Sequence, residues 1–237
     1  MGILNMDVYR ANLCQSSYSN SNINNSIFIS DKETDCQCYI TYNGANVFIT
    51  FRGTTSIEDW KHNINTKTEN VFSDLKVHKG FLDQYMSVRN KIYTAIPNIH
   101  SENIFISGHS LGGALAYVCA VDIMATTNNK NIKVFTIGSP RPGNNAFAEY
   151  FINNVKESKR YKNKGDIITK LPLRSKFKHV QPSISLENGV NVKDKKLYTI
   201  FLLRLTDICC TCICNITNLT DKHSVDLYID NIQKYNK

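Results

Sequence analysis

No run in the 237-residue chain approaches the roughly 20 consecutive apolar residues that a membrane-spanning helix needs. The opening stretch MGILNMDVYR also lacks an apolar run long enough for a secretory signal, because Asp7 and Arg10 interrupt it. A cytoplasmic location is therefore the default expectation. The chain begins Met-Gly, but Met6 stands where N-myristoylation wants Ser or Thr. Internal repeats, heptads and long linkers are missing, so solenoids and coiled coils are excluded and residues 1–237 read as a single domain.

Charge of one sign is in excess without being organised. Lys and Arg number 28 against 20 Asp and Glu, a formal charge of +8. Apart from short clusters such as Lys193, Lys195 and Lys196 the lysines are scattered, and no basic stripe is interleaved with aromatics. That pattern excludes nucleic-acid binding and reads as the coding bias of an AT-rich genome. Eight cysteines without a secretory signal are expected to be free thiols. Four of them crowd together at Cys209, Cys210, Cys212 and Cys214. Structural zinc sites draw ligand pairs from two separated places, and Cys36-x-Cys38 would supply the second pair only if the fold brought it close. The expectation is small, buried, reduced residues and no metal. The sequons at Asn24, Asn215 and Asn218 are what an Asn-rich chain contains by chance.

What is present is a succession of short strands and amphipathic helices. Met6–Leu13 can form a short helix, and polar residues 15–25 a loop. Cys38–Tyr42 and Val47–Phe51 are strand-like and flank Asn43-Gly44, a strong hairpin signal. Phe81, Tyr85, Val88, Ile92 and Ala95 mark one face of a helix over 81–96. A strand at Asn103–Ser107, a helix at Leu111–Ala125, a strand at Ile132–Ile137 and a helix at Gly143–Val155 follow. Arg160–Asn163 and Leu197–Leu205 read as strands. Asp221 opens a last helix with Val225, Tyr228, Ile229 and Ile232 on one face. Alternating strands and helices imply an α/β fold with a central, mostly parallel sheet, made mixed by the hairpin at its edge.

Between the third of these strands and the helix after it stands Gly108-His109-Ser110-Leu111-Gly112, a G-x-S-x-G pattern in strand-then-helix context. A Ser in that tight turn has its hydroxyl thrust above the sheet, glycines two positions away leave room for the bend, and the helix N-terminus faces a developing oxyanion. A Ser hydroxyl needs a His base, and the His needs a carboxylate to orient it. In this fold class they follow in the order Ser, acid, His. His179 and His223 are the bases open to that order. Asp122, Glu149, Asp166, Glu187, Asp194 and Asp207 are the acids, with Asp166 placed after Gly165 just beyond a strand.

Five pieces in order carry a resemblance over residues 38–230: Phe51-Arg52-Gly53-Thr54, Val77-His78-Lys79-Gly80-Phe81, the Gly108–Gly113 elbow, Gly138-Ser139-Pro140-Arg141-Pro142-Gly143-Asn144, and Gly165-Asp166-Ile167-Ile168-Thr169-Lys170-Leu171-Pro172. Together they resemble the fungal-type (class 3) lipases of the α/β-hydrolase superfamily. The resemblance implies Ser110 as nucleophile, Asp166 as acid and His223 as base. It implies an oxyanion hole from Thr54 and Leu111, and supporting roles for Arg52, His78, His109 and Arg141. It leaves His179 as the rival base. It also implies a lid between Thr54 and Val77, where Ile57, Trp60 and Ile64 share a helical face suited either to lipid or to packing on the protein.

The expected activity is hydrolysis of acylglycerols or similar carboxylic esters, as a triacylglycerol lipase or esterase, with no cofactor. The substrate would be an acyl ester or lipid met by peripheral contact with a membrane or lipid-droplet surface. A phospholipase A1-type hydrolase and a non-catalytic lipid-binding protein on the same fold are the alternatives.

Overall fold

The computed structural model describes residues 5–19, 25–54, 68–99, 102–172, 174–192 and 221–236. Eight described strands form one sheet: β1 (Ser26–Asp31), β2 (Cys36–Asn43), β3 (Asn46–Phe51), β6 (Asn103–His109), β7 (Ile132–Ile137), β8 (Glu157–Asn163), β9 (Ile184–Glu187) and β10 (Val190–Asn191), in the spatial order β1-β2-β3-β6-β7-β8-β9-β10. The five strands from β3 to β9 run parallel, and antiparallel pairs flank them at both ends. The mixed, mostly parallel sheet is as expected. A separate two-stranded ribbon joins β4 (Thr68–Phe72) to β5 (Leu75–His78).

Helices cover both faces, as burial of a parallel sheet requires. On one side lie α2 (Lys79–Ala95), α3 (Leu111–Thr127) and α4 (Asn145–Asn154); on the other lie α1 (Met6–Ser16) and α5 (Val225–Tyr235), packed against each other. The strands sort their side chains by the two-residue period. Ile104 and Ile106 of β6 and Ile132 and Val134 of β7 join the α2–α3–α4 core. Phe105 faces the opposite way toward Phe48 and Leu13, while Phe135 and Ile137 meet Ala11, Cys14 and Tyr228. Helix α3 is buried along almost its whole length, from Leu111 to Met124, which explains why it reads as apolar on every side.

Several boundaries differ from the sequence expectation for local reasons. The β2–β3 turn is Gly44-Ala45, one residue later than Asn43-Gly44, because Asn43 pairs with Asn46 and Gly44 takes the positive φ of 59°. Helix α4 starts at Asn145 rather than Gly143, since the Asn144 side chain caps it by accepting from the Phe147 N–H at 2.9 Å. The last helix opens at Val225, not Asp221. Asp221–His223 form a separate turn, closed by Ser224 N–H donating to the Asp221 carbonyl at 3.2 Å. Strands β1, β4, β5, β9 and β10 were not expected, while the strand expected over Leu197–Leu205 and the Cys209–Cys214 cluster lie outside the described residues. The four described cysteines, Cys14, Cys36, Cys38 and Cys119, are buried free thiols.

Candidate active site

Four chain segments arrive together at the C-terminal ends of parallel strands β3, β6, β7 and β8, where sites of open α/β sheets are built. The tightest is the elbow. β6 ends at His109 and α3 begins at Leu111, leaving Ser110 to turn the chain with φ 57° and ψ −128°. Non-glycine residues avoid this conformation, and it persists where its surroundings over-determine it. Here Ser110 N–H donates to the Ile137 carbonyl and the Ser110 carbonyl accepts from Gly113 N–H, each at 3.0 Å. A Cβ on Gly108 would stand 2.2 Å from the Gly112 carbonyl oxygen, and one on Gly112 would stand 2.3 Å from that of Phe51. Strand, elbow and helix are thus pressed backbone to backbone, and α3 aims its N-terminus at Ser110.

The same compression places the oxyanion candidates. A Cβ on Gly53 would lie 3.1 Å from Ser110 Cβ, so the half-buried Thr54 is the next residue along from the nucleophile candidate. Leu111 is the first residue of α3 and is buried.

The acid candidate follows β8. Gly165, at φ 86°, turns the chain and delivers Asp166, which is 1% exposed. Its Oδ1 accepts from Ile168 N–H at 2.9 Å. Its Oδ2 accepts from His223 Nδ1 at 2.8 Å and from the Tyr228 hydroxyl at 2.6 Å. A carboxylate oxygen accepts, so Nδ1 carries a ring proton, and in the neutral ring the lone pair is therefore on Nε2. His223 Nε2 is buried and has no hydrogen-bond partner among the described residues. The ring rests on Gly138 at the end of β7, where a Cβ would stand 2.9 Å from His223 Cε1 and where φ is 64°.

His179 does not reach this carboxylate; its Nε2 bonds the Thr169 carbonyl oxygen at 2.7 Å. Burial, and then the nearby Arg160 and Arg141, push its pKa down to about 2, so it is a neutral interior imidazole. Arg52 donates to Gln37 Oε1 at 2.7 Å. Arg141 donates to the carbonyls of Lys170 and Pro172, holding the loop that follows Asp166. Ile57, Trp60 and Ile64 lie outside the described residues.

Sequence reasoning missed the outer ring of support. Tyr228 is held from both sides, donating to Asp166 and accepting from Asn163 N–H at 2.9 Å. Asn231 donates to Asn163 Oδ1 at 2.9 Å and accepts from Gly189 N–H at 2.9 Å. The signal for Tyr228 was a hydroxyl on a helix face otherwise aliphatic, at a position where Phe or Leu would fill the same space.

A three-layer α/β fold with a strained Ser elbow, a buried carboxylate and a carboxylate-bonded His is an α/β-hydrolase. Within that class, residues 48–176 match the family model for lipase (class 3), and the chain belongs to that family. It is similar to a lipase of Rhizomucor miehei, 35% identical over 135 residues, covering 53% of this chain and 37% of that protein. It is also similar to the secreted mono- and diacylglycerol lipase 1 of Fusarium solani, 28% identical over 192 residues, 77% of this chain and 56% of that protein. Among solved structures, a triacylglycerol lipase whose catalytic centre is described as a serine-protease triad superposes with a TM-score of 0.66 at 27% identity, covering 78% of this chain and 81% of that one. The chain spans between 37% and 56% of the length of the two curated relatives.

Proposed function

We propose that the protein is a serine carboxylic ester hydrolase acting on acylglycerols, a triacylglycerol lipase or esterase. The observation that carries this reading is the His223 imidazole: buried, fixed by Asp166 at Nδ1, with Nε2 unpartnered among the described residues, and resting on Gly138, the residue after the Ile137 carbonyl that accepts from Ser110 N–H. His179 Nδ1 is also buried and unpartnered among the described residues, but the other nitrogen of that ring bonds only a main-chain carbonyl, whereas the other nitrogen of His223 is held by a buried carboxylate. In the proposed reaction Ser110 Oγ attacks the ester carbonyl carbon while His223 Nε2 takes its proton. Asp166 stabilises the resulting imidazolium, and the amides of Thr54 and Leu111 hold the oxyanion. The proton on Nε2 passes to the departing alkoxide oxygen as the alcohol leaves. Water, deprotonated by the same nitrogen, then releases the acid and frees Ser110.

The family match and the mono-, di- and triacylglycerol lipases among the relatives support a lipid substrate. In the proposed reading the protein meets it by peripheral contact with a membrane or droplet surface. The test is hydrolysis of a 4-nitrophenyl ester series from short to long acyl chains, by the wild type and by Ser110→Ala. Loss of about 10³-fold or more in the variant, with folding intact, is expected. Emulsified triacylglycerol and phospholipid vesicles then separate lipase from phospholipase A1. Vesicle binding by a folded wild type that turns over none of these substrates would instead establish a non-catalytic lipid binder.

A further inference from the structure

Tyr18 stands in the turn after α1, thirty residues before the family match begins, yet its hydroxyl reaches the centre of the site. It lies 2.7 Å from His109 Nδ1. The other nitrogen of that ring, Nε2, lies 2.8 Å from the main-chain carbonyl oxygen of His223. A carbonyl only accepts, so His109 Nε2 must carry the proton; Nδ1 must then accept, and Tyr18 must donate. The relay therefore has one direction: Tyr18 O–H to His109, His109 N–H to His223. Both imidazoles are buried, with ring centroids 4.7 Å apart. Burial, and then the neighbouring His223, hold the pKa of His109 well below the usual histidine range, consistent with this neutral tautomer.

The same hydroxyl touches the other catalytic segment. A Cβ on Gly53 would stand 2.1 Å from it, and the Gly53 backbone also interacts with that oxygen. The Arg52 guanidinium sits 5.7 Å from the Tyr18 ring centroid. His109 is adjacent to Ser110 in the chain, and Gly53 is adjacent to Thr54. One hydroxyl therefore meets the elbow, the oxyanion segment and, through His109, the turn that carries the base.

We infer that Tyr18 is a positioning residue for the ester hydrolysis proposed above: by fixing the His109 tautomer it gives the His223 main chain a donor, and so sets the direction of His223 Nε2 relative to Ser110. Asp166 holds the side chain of His223 and His109 holds its backbone. With both fixed, the ring has one orientation. Without Tyr18, His109 is free to move its proton to Nδ1, which would set a nitrogen lone pair against the His223 carbonyl oxygen.

Tyr18→Phe keeps the ring and removes the donor. The expected result is a kcat lowered about tenfold or more with KM within about twofold, because misplacing a catalytic group slows the chemical step without weakening binding. Nitrogen-15 NMR of the imidazoles should show His109 as the Nε2–H tautomer in the wild type and redistributed in Tyr18→Phe. Adding His109→Gln, whose amide donates whatever Tyr18 does, should return part of the lost kcat. An unchanged kcat in folded Tyr18→Phe, or an unchanged His109 tautomer, would overturn the inference. So would a loss that follows thermal stability and is not rescued by the amide. Inactivity of the wild type would defeat the hydrolase reading alone, and the NMR measurement needs no turnover.

Discussion

The two faces of the sheet hold the site by different means. On the α2–α3–α4 face, the elbow is fixed by contact: glycine backbones against backbones, and a helix buried on all sides. Polar groups there tie helix to helix. Asp122 accepts from Arg89, Tyr85 and Tyr93, locking α3 to α2. On the α1–α5 face, hydrogen bonds run into the site itself, from Tyr18 after α1 to His109 and from Tyr228 of α5 to Asp166. Ser110, the proposed nucleophile, is thus set mainly by backbone packing, and Asp166 and His223, the proposed acid and base, by directed side-chain polar contacts. Packing tolerates no added atom, whereas a polar contact fails when a single donor is lost.

Gly112→Ala tests the packed side and should have the largest effect. Its Cβ would meet the carbonyl oxygens of Phe51 at 2.3 Å and Arg52 at 2.8 Å. Both obstacles are backbone, so α3 must move away from β3. A stability loss of about 3 kcal/mol is expected, at the upper end for overpacking, read from urea unfolding. Turnover should fall with it, since Gly53, next to Arg52, packs against Ser110. A variant as stable as the wild type would mean that the elbow is less constrained than these contacts require.

Tyr228→Phe tests the polar side. Asp166 would lose one of its three donors, and the Asn163 N–H would lose its acceptor. Removing a hydrogen bond to a charged group costs about 2 kcal/mol. Here we expect stability to fall by that amount and kcat to fall about tenfold, with KM little changed. If stability falls while kcat holds, Tyr228 supports the fold but not the acid.

The packed side was far more legible in the sequence than the polar side. Helix α3, the glycines of the elbow and the parallel strands each declare themselves through short-range pattern: a period, a breaker, a run of apolar residues. Asp166 was legible because Gly165 marks the turn after a strand. The Tyr18–His109–His223 relay was not. Its members are 91 and 114 residues apart in sequence, and a Tyr in a polar stretch looks like any loop residue. The short strands β9 and β10 were missed for a related reason. Ile184–Glu187 is too brief to show alternation, and it becomes a strand by pairing with β8. The start of α5 was misplaced because Asp221 is a good cap by type, yet the chain uses Ser224 there and spends the preceding turn presenting His223.

The smallest expected effect concerns two buried neutral imidazoles outside the proposed triad, His109 and His179. Burial lowers both pKa values, with His223 adding to the effect at His109 and Arg160, Arg141 and Lys162 adding to it at His179. In the unfolded chain each binds a proton below its ordinary value of 6.5; in the folded protein His179 stays neutral down to about pH 2. The unfolded state therefore holds more protons in this window, and stability falls as pH falls. For one such group the loss between about pH 6.5 and 5.5 is about 1 kcal/mol. Urea unfolding at a series of pH values should show this decline, and His179→Gln should make it shallower by about one proton's worth while leaving the His109 share in place. An unchanged slope in that variant would mean that His179 takes up its proton in the folded protein, and that the basic groups around it are better screened than their burial implies.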